Sequence, residues 1–213
     1  TNIEQVIVNG KIAFEKDNKN KKDNKDCDFI KELSLKDIRQ ITEDISIEKL
    51  DFIMDGIEMN KEAAMEGLKR QKGLTLGSSL LKLQEEGKIG KDSATIARIL
   101  TAAGSDLRMG GGMCPIMTSG GSGNQGLCVI LPINVVAEDI KAPKERLQRA
   151  VFFGHAVNNF VKKYTGKLSA ICGCAIAAGI GATAGIAWLL GGKDKEIEGA
   201  ILNMLANLTG MVC

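Results

Sequence analysis

Cys172 and Cys174 stand one residue apart and Cys213 closes the sequence, so thiols are the first groups whose spacing could do chemistry. A thiolate is both a nucleophile and a soft metal ligand. The Cys-Gly-Cys spacing differs from the two-residue spacing of zinc ribbons and thioredoxin motifs, and His155 is the only histidine. Any bound metal must therefore draw most of its ligands from sulfur. The same cysteines also read as small buried hydrophobes, the usual place of a free thiol.

A second candidate is the run Ser119-Gly120-Gly121-Ser122-Gly123-Asn124-Gln125-Gly126. Its missing side chains expose backbone N–H groups, and Ser122 and Asn124 add donors of their own, which suits an anion. The run lacks the Gly-Lys-Ser/Thr ending of a nucleotide-binding loop, so a small carboxylate is as reasonable a ligand as a nucleotide. A glycine-rich turn without any ligand is the plainer reading. Arg108, just ahead of Gly110, Gly111 and Gly112, offers a bidentate carboxylate partner, or else pairs with Asp106 at the surface. His155 is a candidate for proton transfer, against the alternative of a packed, hydrogen-bonded residue on a helix face.

The elements that must position these groups are mostly helical. Asn9-Gly10 between Glu4-Gln5-Val6-Ile7-Val8 and Lys11-Ile12-Ala13-Phe14 predicts one β-hairpin near the N-terminus. From Glu15 to Asp28 the chain is almost all Lys, Asp, Asn and Glu, the composition of a solvated linker. Ser34 before Leu35, Ile38 and Ile41, with Asp37 three positions on, predicts an N-capped helix. A second helix should follow, with Leu50, Ile53, Met54, Ile57, Ala64 and Leu68 in helical register through about Arg70. Residues 74–86 and 93–103 also read as helices, closed by Gly87 and Gly104. Leu127 to Val136, broken by Pro132, reads as a short strand or a buried helix. Pro143 opens a helix running to Tyr164, and residues 195–211 form a closing amphipathic helix. The fold class expected is mainly α: a multi-helical bundle around a Gly/Ala-rich central helix, with residues 1–33 as hairpin and linker and 34–213 as the helical domain.

Composition narrows the function. At 213 residues and 22.7 kDa, with 44% hydrophobic and 25% charged residues, the chain can bury a core. A net charge of +2 and only 4% aromatic residues argue against nucleic acid as a partner. Six cysteines are too few for a disulfide-stapled secreted domain of this length, and no secretory signal is visible, so a reducing cytoplasm is expected. Residues 169–192 carry no charge, long enough for a membrane span. Their Ala and Gly content favours a helix packed closely inside a soluble protein instead.

These segments resemble the L-cysteine desulfidase and serine-dehydratase-like family, related to the α domain of iron–sulfur L-serine dehydratases. The resemblance rests on SDLRMGGG from Ser105, GSGNQG from Gly121, PKERLQRAVFFGHAV from Pro143 and GKLSAICGCAIAAG from Gly166. It continues through LLGG at Leu189 to LTGMVC ending at Cys213. It implies a soluble α,β-eliminating lyase of about twice this length, which makes the chain a fragment of the C-terminal half, truncated at its C-terminus. It implies a [4Fe–4S] cluster on three cysteines, with Cys172 and Cys213 as two ligands, Cys174 as an extra and the third ligand beyond Cys213. The substrate would be a small amino acid, L-cysteine first and L-serine as the alternative. Gly121, Ser122, Gly123, Asn124 and Gln125 would hold its carboxylate, with Arg108 and His155 as catalytic groups. Homo-oligomerisation is expected, without nucleic acid or membrane partners. A non-catalytic, anion-binding helical domain is the competing class.

Overall fold

The computed structural model describes residues 5–15, 29–70, 73–166, 170–208 and 210–211. The chain divides into two compact units, Thr1–Glu32 and Leu33–Cys213. In the first, β1 (Gln5–Val8) pairs antiparallel with β2 (Lys11–Glu15). The turn between them sets Asn9 at φ 51° and Gly10 at φ 74°. That left-handed pair is what Asn-Gly accepts most readily, so the hairpin forms where the dipeptide predicts. The charged segment 16–28 lies outside the described residues.

The second unit is a helical bundle. Helix α1 (Leu35–Asp44) starts with a full capping box. The Ser34 hydroxyl accepts from the Asp37 N–H at 3.2 Å, and the Asp37 carboxylate accepts from the Ser34 N–H at 2.8 Å. A 3₁₀ turn (Ile47–Leu50) leads into α2 (Phe52–Arg70). The buried face of α2 alternates Ile53 and Ile57 with the small residues Gly56, Ala63, Ala64 and Gly67, which lets neighbours approach closely. Helix α3 (Leu76–Glu85) is pinned by buried Asp106, whose carboxylate accepts from the Gly77 N–H at 3.0 Å.

Helix α4 (Ser93–Met109) does not stop at Gly104. It runs on to Met109, and Gly104 is a packing position: an added Cβ would lie 3.0 Å from the Leu127 side chain. The helix closes instead on the triple glycine, where Gly111 takes φ 75° and the Gly112 N–H returns to the Leu107 carbonyl at 2.7 Å. The strand-or-helix alternative at 127–136 resolves as α5 (Gly123–Asp139), with Pro132 inside it. That proline has no N–H for the carbonyl four residues back, at Cys128.

Helix α6 (Lys144–Thr165) follows Pro143 at its N-cap. The described part of the uncharged stretch forms a π-helical turn (Cys174–Ala178) that continues into α7 (Gly179–Leu189), and α8 (Asp194–Leu208) closes the bundle. An added Cβ at Gly181 would lie 2.5 Å from the Gly154 carbonyl oxygen, so α6 and α7 meet backbone to backbone. No helix among the described residues is long and apolar enough to cross a membrane. The main core joins Leu50, Ile53 and Ile57 to Val129, Ile130 and Ile133 of α5, Ala150 and Val151 of α6, and Leu189 of α7. A second cluster joins Ile38, Phe153, Val157, Ile180 and Ile197. Buried to this degree, each large aliphatic side chain stabilises the fold by about 1.5–3 kcal/mol.

Candidate functional site

The glycine-rich run is held from three sides. On one, buried Asn60 of α2 grips Met117, accepting from its N–H at 2.9 Å and donating to its carbonyl at 3.3 Å. This fixes the approach to the turn. Within the turn, Ser119 and Ser122 exchange backbone hydrogen bonds of 3.1 and 3.0 Å, with Gly120 at φ 54° and Gly121 at φ 80°. Ser122 then caps α5, its hydroxyl accepting from the Gln125 N–H at 3.4 Å. The first helical bond is Gly126 N–H to the Ser122 carbonyl. The N–H groups of Gly123 and Asn124 are left as the open donors of the helix start, where the dipole also favours negative charge.

Arg108, from the last turn of α4, lies across that start. Its guanidinium donates to Asn124 Oδ1 at 3.2 Å, and a side chain at Gly123 would collide with it. Arg108 is exposed and Gln125 is buried, so of the five loop residues assigned to substrate, Gln125 points inward. Its amide nitrogen packs on Gly173, where an added Cβ would lie 2.5 Å away. The start of α5 therefore abuts the Cys172-Gly173-Cys174 segment.

Behind the turn stands α6. His155, Asn158 and Lys162 follow one another at helical spacing on a single face. His155 Nδ1 is 2.7 Å from Ser119 Oγ, Asn158 Nδ2 donates to the same oxygen at 2.7 Å, and Lys162 Nζ donates to the Gly120 carbonyl at 2.9 Å. Burial holds His155 down to about 4, so the imidazole is uncharged at neutral pH. Three buried polar atoms around this turn have no hydrogen-bond partner: Gln125 Oε1, His155 Nε2 and Asn158 Oδ1.

The Cys174 sulfur takes a hydrogen bond from Cys128, and that bond, together with the charges of Arg108 and Lys162, lowers it to about 7 against the opposing effect of burial. Cys128 keeps its proton: the bond to Cys174, burial, and the neighbouring Cys174 and Cys172 sulfurs push it far up. Cys172 is held by its backbone, its N–H donating to the Met211 carbonyl at 3.2 Å. Cys213, the other cysteine expected as a ligand, lies outside the described residues. Among those described, no three His, Cys, Asp or Glu side chains are arranged to hold a metal ion.

The structure thus brings Arg108, Ser122, Gly123, Asn124, Gln125, His155 and Cys174 together, with Cys172 beside them. Gly121 sits at the exposed tip of the turn. Sequence reasoning missed Cys128, Asn158 and Lys162. Asn158 and Lys162 carried a signal, since they repeat the position of His155 at three and seven residues along a helix.

The model of the serine dehydratase alpha chain family matches residues 11–213. A UPF0597 protein of Clostridium botulinum strain Hall is 99% identical over 213 residues, all of this chain and 49% of its own length. UPF0597 proteins of Clostridioides difficile and Desulfotalea psychrophila are 45% and 42% identical over 85% and 87% of this chain, covering 42% and 43% of their own lengths. The chain spans about half the length of the curated relatives it matches. No solved structure matches it. The chain belongs to the serine dehydratase alpha chain family.

Proposed function

We propose that the full-length polypeptide is an α,β-eliminating lyase that acts on a small β-substituted amino acid and converts L-cysteine to pyruvate, ammonia and sulfide. The observation that carries this reading is the contact between the open N-terminus of α5 and the Cys172–Cys174 segment, made through Gln125 and Gly173. A carboxylate bound at that helix start would lie beside these thiols.

The donor chemistry at this end of α5 suits an iron–sulfur group whose ligand set would be completed by residues outside those described. Cys174 is readily deprotonated, Arg108 and Lys162 offset negative charge, and Cys172 is tied to Met211, two residues before Cys213. Cys172 and Cys213 would hold the group, with Cys174 and Cys128 next to it. Such a group, when bound, supplies a Lewis acid for the substituent leaving Cβ. The chain's own residues do the rest. The open N–H groups of Gly123 and Asn124, with Arg108, bind the substrate carboxylate and stabilise the negative charge that builds on it as the Cα proton leaves. His155, uncharged and hydrogen-bonded to Ser119, is the side chain placed to hold or move a proton without competing with Arg108 for the carboxylate.

The cytoplasm belongs to the same reading, since Cys114, Cys128, Cys172 and Cys174 are free thiols. The family description favours L-serine as a second substrate. The test is turnover of both amino acids by the anaerobically prepared full-length protein, following sulfide from L-cysteine and pyruvate from either. Cys172→Ala should abolish both reactions. Activity that survives this substitution refutes the reading.

A further inference from the structure

Ser119 is buried, and its single hydroxyl meets two partners at the same distance, Asn158 Nδ2 and His155 Nδ1, each at 2.7 Å. Asn158 donates through its amide nitrogen, so the oxygen is the acceptor in that bond. The hydroxyl hydrogen then has one acceptor within reach, His155 Nδ1, and the imidazole proton must sit on Nε2. The opposite assignment has Nδ1–H donating to Ser119. With the Asn158 amide nitrogen facing Ser119, it strands the Ser119 hydrogen and leaves a bare Nε2 lone pair, two unsatisfied buried groups instead of one. An unsatisfied buried group of this kind is costly enough to decide the tautomer.

We propose that Ser119 is a positioning residue that fixes the proton of His155 on Nε2, with Asn158 setting the direction of the relay. The proposal rests on the lyase reading for its consequence: His155 then presents an N–H donor, not a lone pair, to the negative charge that develops on the substrate, and the Cα proton passes to a base outside the described residues. Nε2 is the ring atom left for that task, since it is buried and without a partner. Asn158 Oδ1 and Gln125 Oε1, also unpartnered, flank the same turn: an added Cβ at Gly120 would lie 3.2 Å from the Asn158 amide nitrogen and 3.4 Å from Gln125 Oε1. Ser119 itself touches no reacting atom.

The test is the ¹⁵N signature of His155 in the full-length protein labelled at histidine, assigned by its loss in His155→Gln. Wild type should show one tautomer, protonated at Nε2, with Nδ1 a hydrogen-bonded acceptor. In Ser119→Ala the Nδ1 bond should vanish and the tautomers mix, with kcat falling about tenfold, the size of one misplaced hydrogen bond, and KM little changed. Ser119→Thr should restore both. Asn158→Asp should invert the relay, because a carboxylate only accepts: Ser119 then donates to it and His155 carries its proton on Nδ1. A wild-type imidazole protonated at Nδ1, or a tautomer unmoved in both Ser119→Ala and Asn158→Asp, overturns the proposal. An Nε2–H signature in a protein that eliminates neither amino acid defeats the lyase reading and leaves the tautomer assignment standing.

Discussion

The two ends of α5 are built from different material. From Val129 to Ala137 the helix buries aliphatic side chains against α2, α6 and α7, and the polar groups there are paired. Gln148 donates to the Leu50 carbonyl at 3.3 Å and Asn134 to Glu138 at 3.0 Å. From Ser122 to Cys128 the same helix is surrounded by an open helix start, a thiol pair and three polar atoms without partners. Buried polar groups left unsatisfied oppose folding, so one end holds the structure together and the other carries a cost to stability. The two should respond separately to substitution.

The largest expected effect is at the aliphatic end. Ile133 is fully buried in the main core, and Ile133→Ala should lower unfolding free energy by about 2–5 kcal/mol. Urea unfolding followed by far-UV circular dichroism measures this. Alkylation of Cys174 as a function of pH should keep its midpoint near 7 in the same variant. A midpoint that moves with the core would break the division between the two ends.

At the polar end the effect comes from pH. His155 binds its proton near 6.5 when unfolded and at about 4 when folded, so between these values the unfolded chain holds more protons. Stability attributable to His155 is therefore full above pH 6.5 and falls as the pH drops towards 4, by up to about 3 kcal/mol. Comparing the pH dependence of unfolding in wild type and His155→Gln isolates this contribution. An identical pH dependence in the two proteins would mean that the imidazole is not buried uncharged.

The smallest effect is remote from both ends. Ser34→Ala removes the cap of α1 and should cost about 1 kcal/mol without moving the Cys174 midpoint, again read by urea unfolding and alkylation.

Local chemistry made some of this legible in advance. Asn9-Gly10 and the Ser34–Asp37 pair act over four residues or fewer, and both formed where the sequence pattern placed them. The helical class followed from apolar periodicity in α2 and α6. Packing hid the rest. Gly104 reads as a helix stop until Leu127 is seen against it, and only the fold distinguishes a glycine that ends a helix from one that lets another helix approach. The Ala/Gly run from Ala175 has no polar face to mark where its π turn gives way to α7. Cys128 was concealed in an apolar run, and its role depends on Cys174, which lies 46 positions away in sequence and beside it in space. The Arg108–Asn124 contact likewise joins two motifs that the sequence presents only as neighbours along the chain.

Iron and acid-labile sulfide analysis of the full-length protein, isolated without oxygen, tests the central claim most directly. The account predicts about four of each per chain in wild type and neither in Cys172→Ala. A wild-type protein that folds and stays free of both iron and sulfide after anaerobic reconstitution would contradict it.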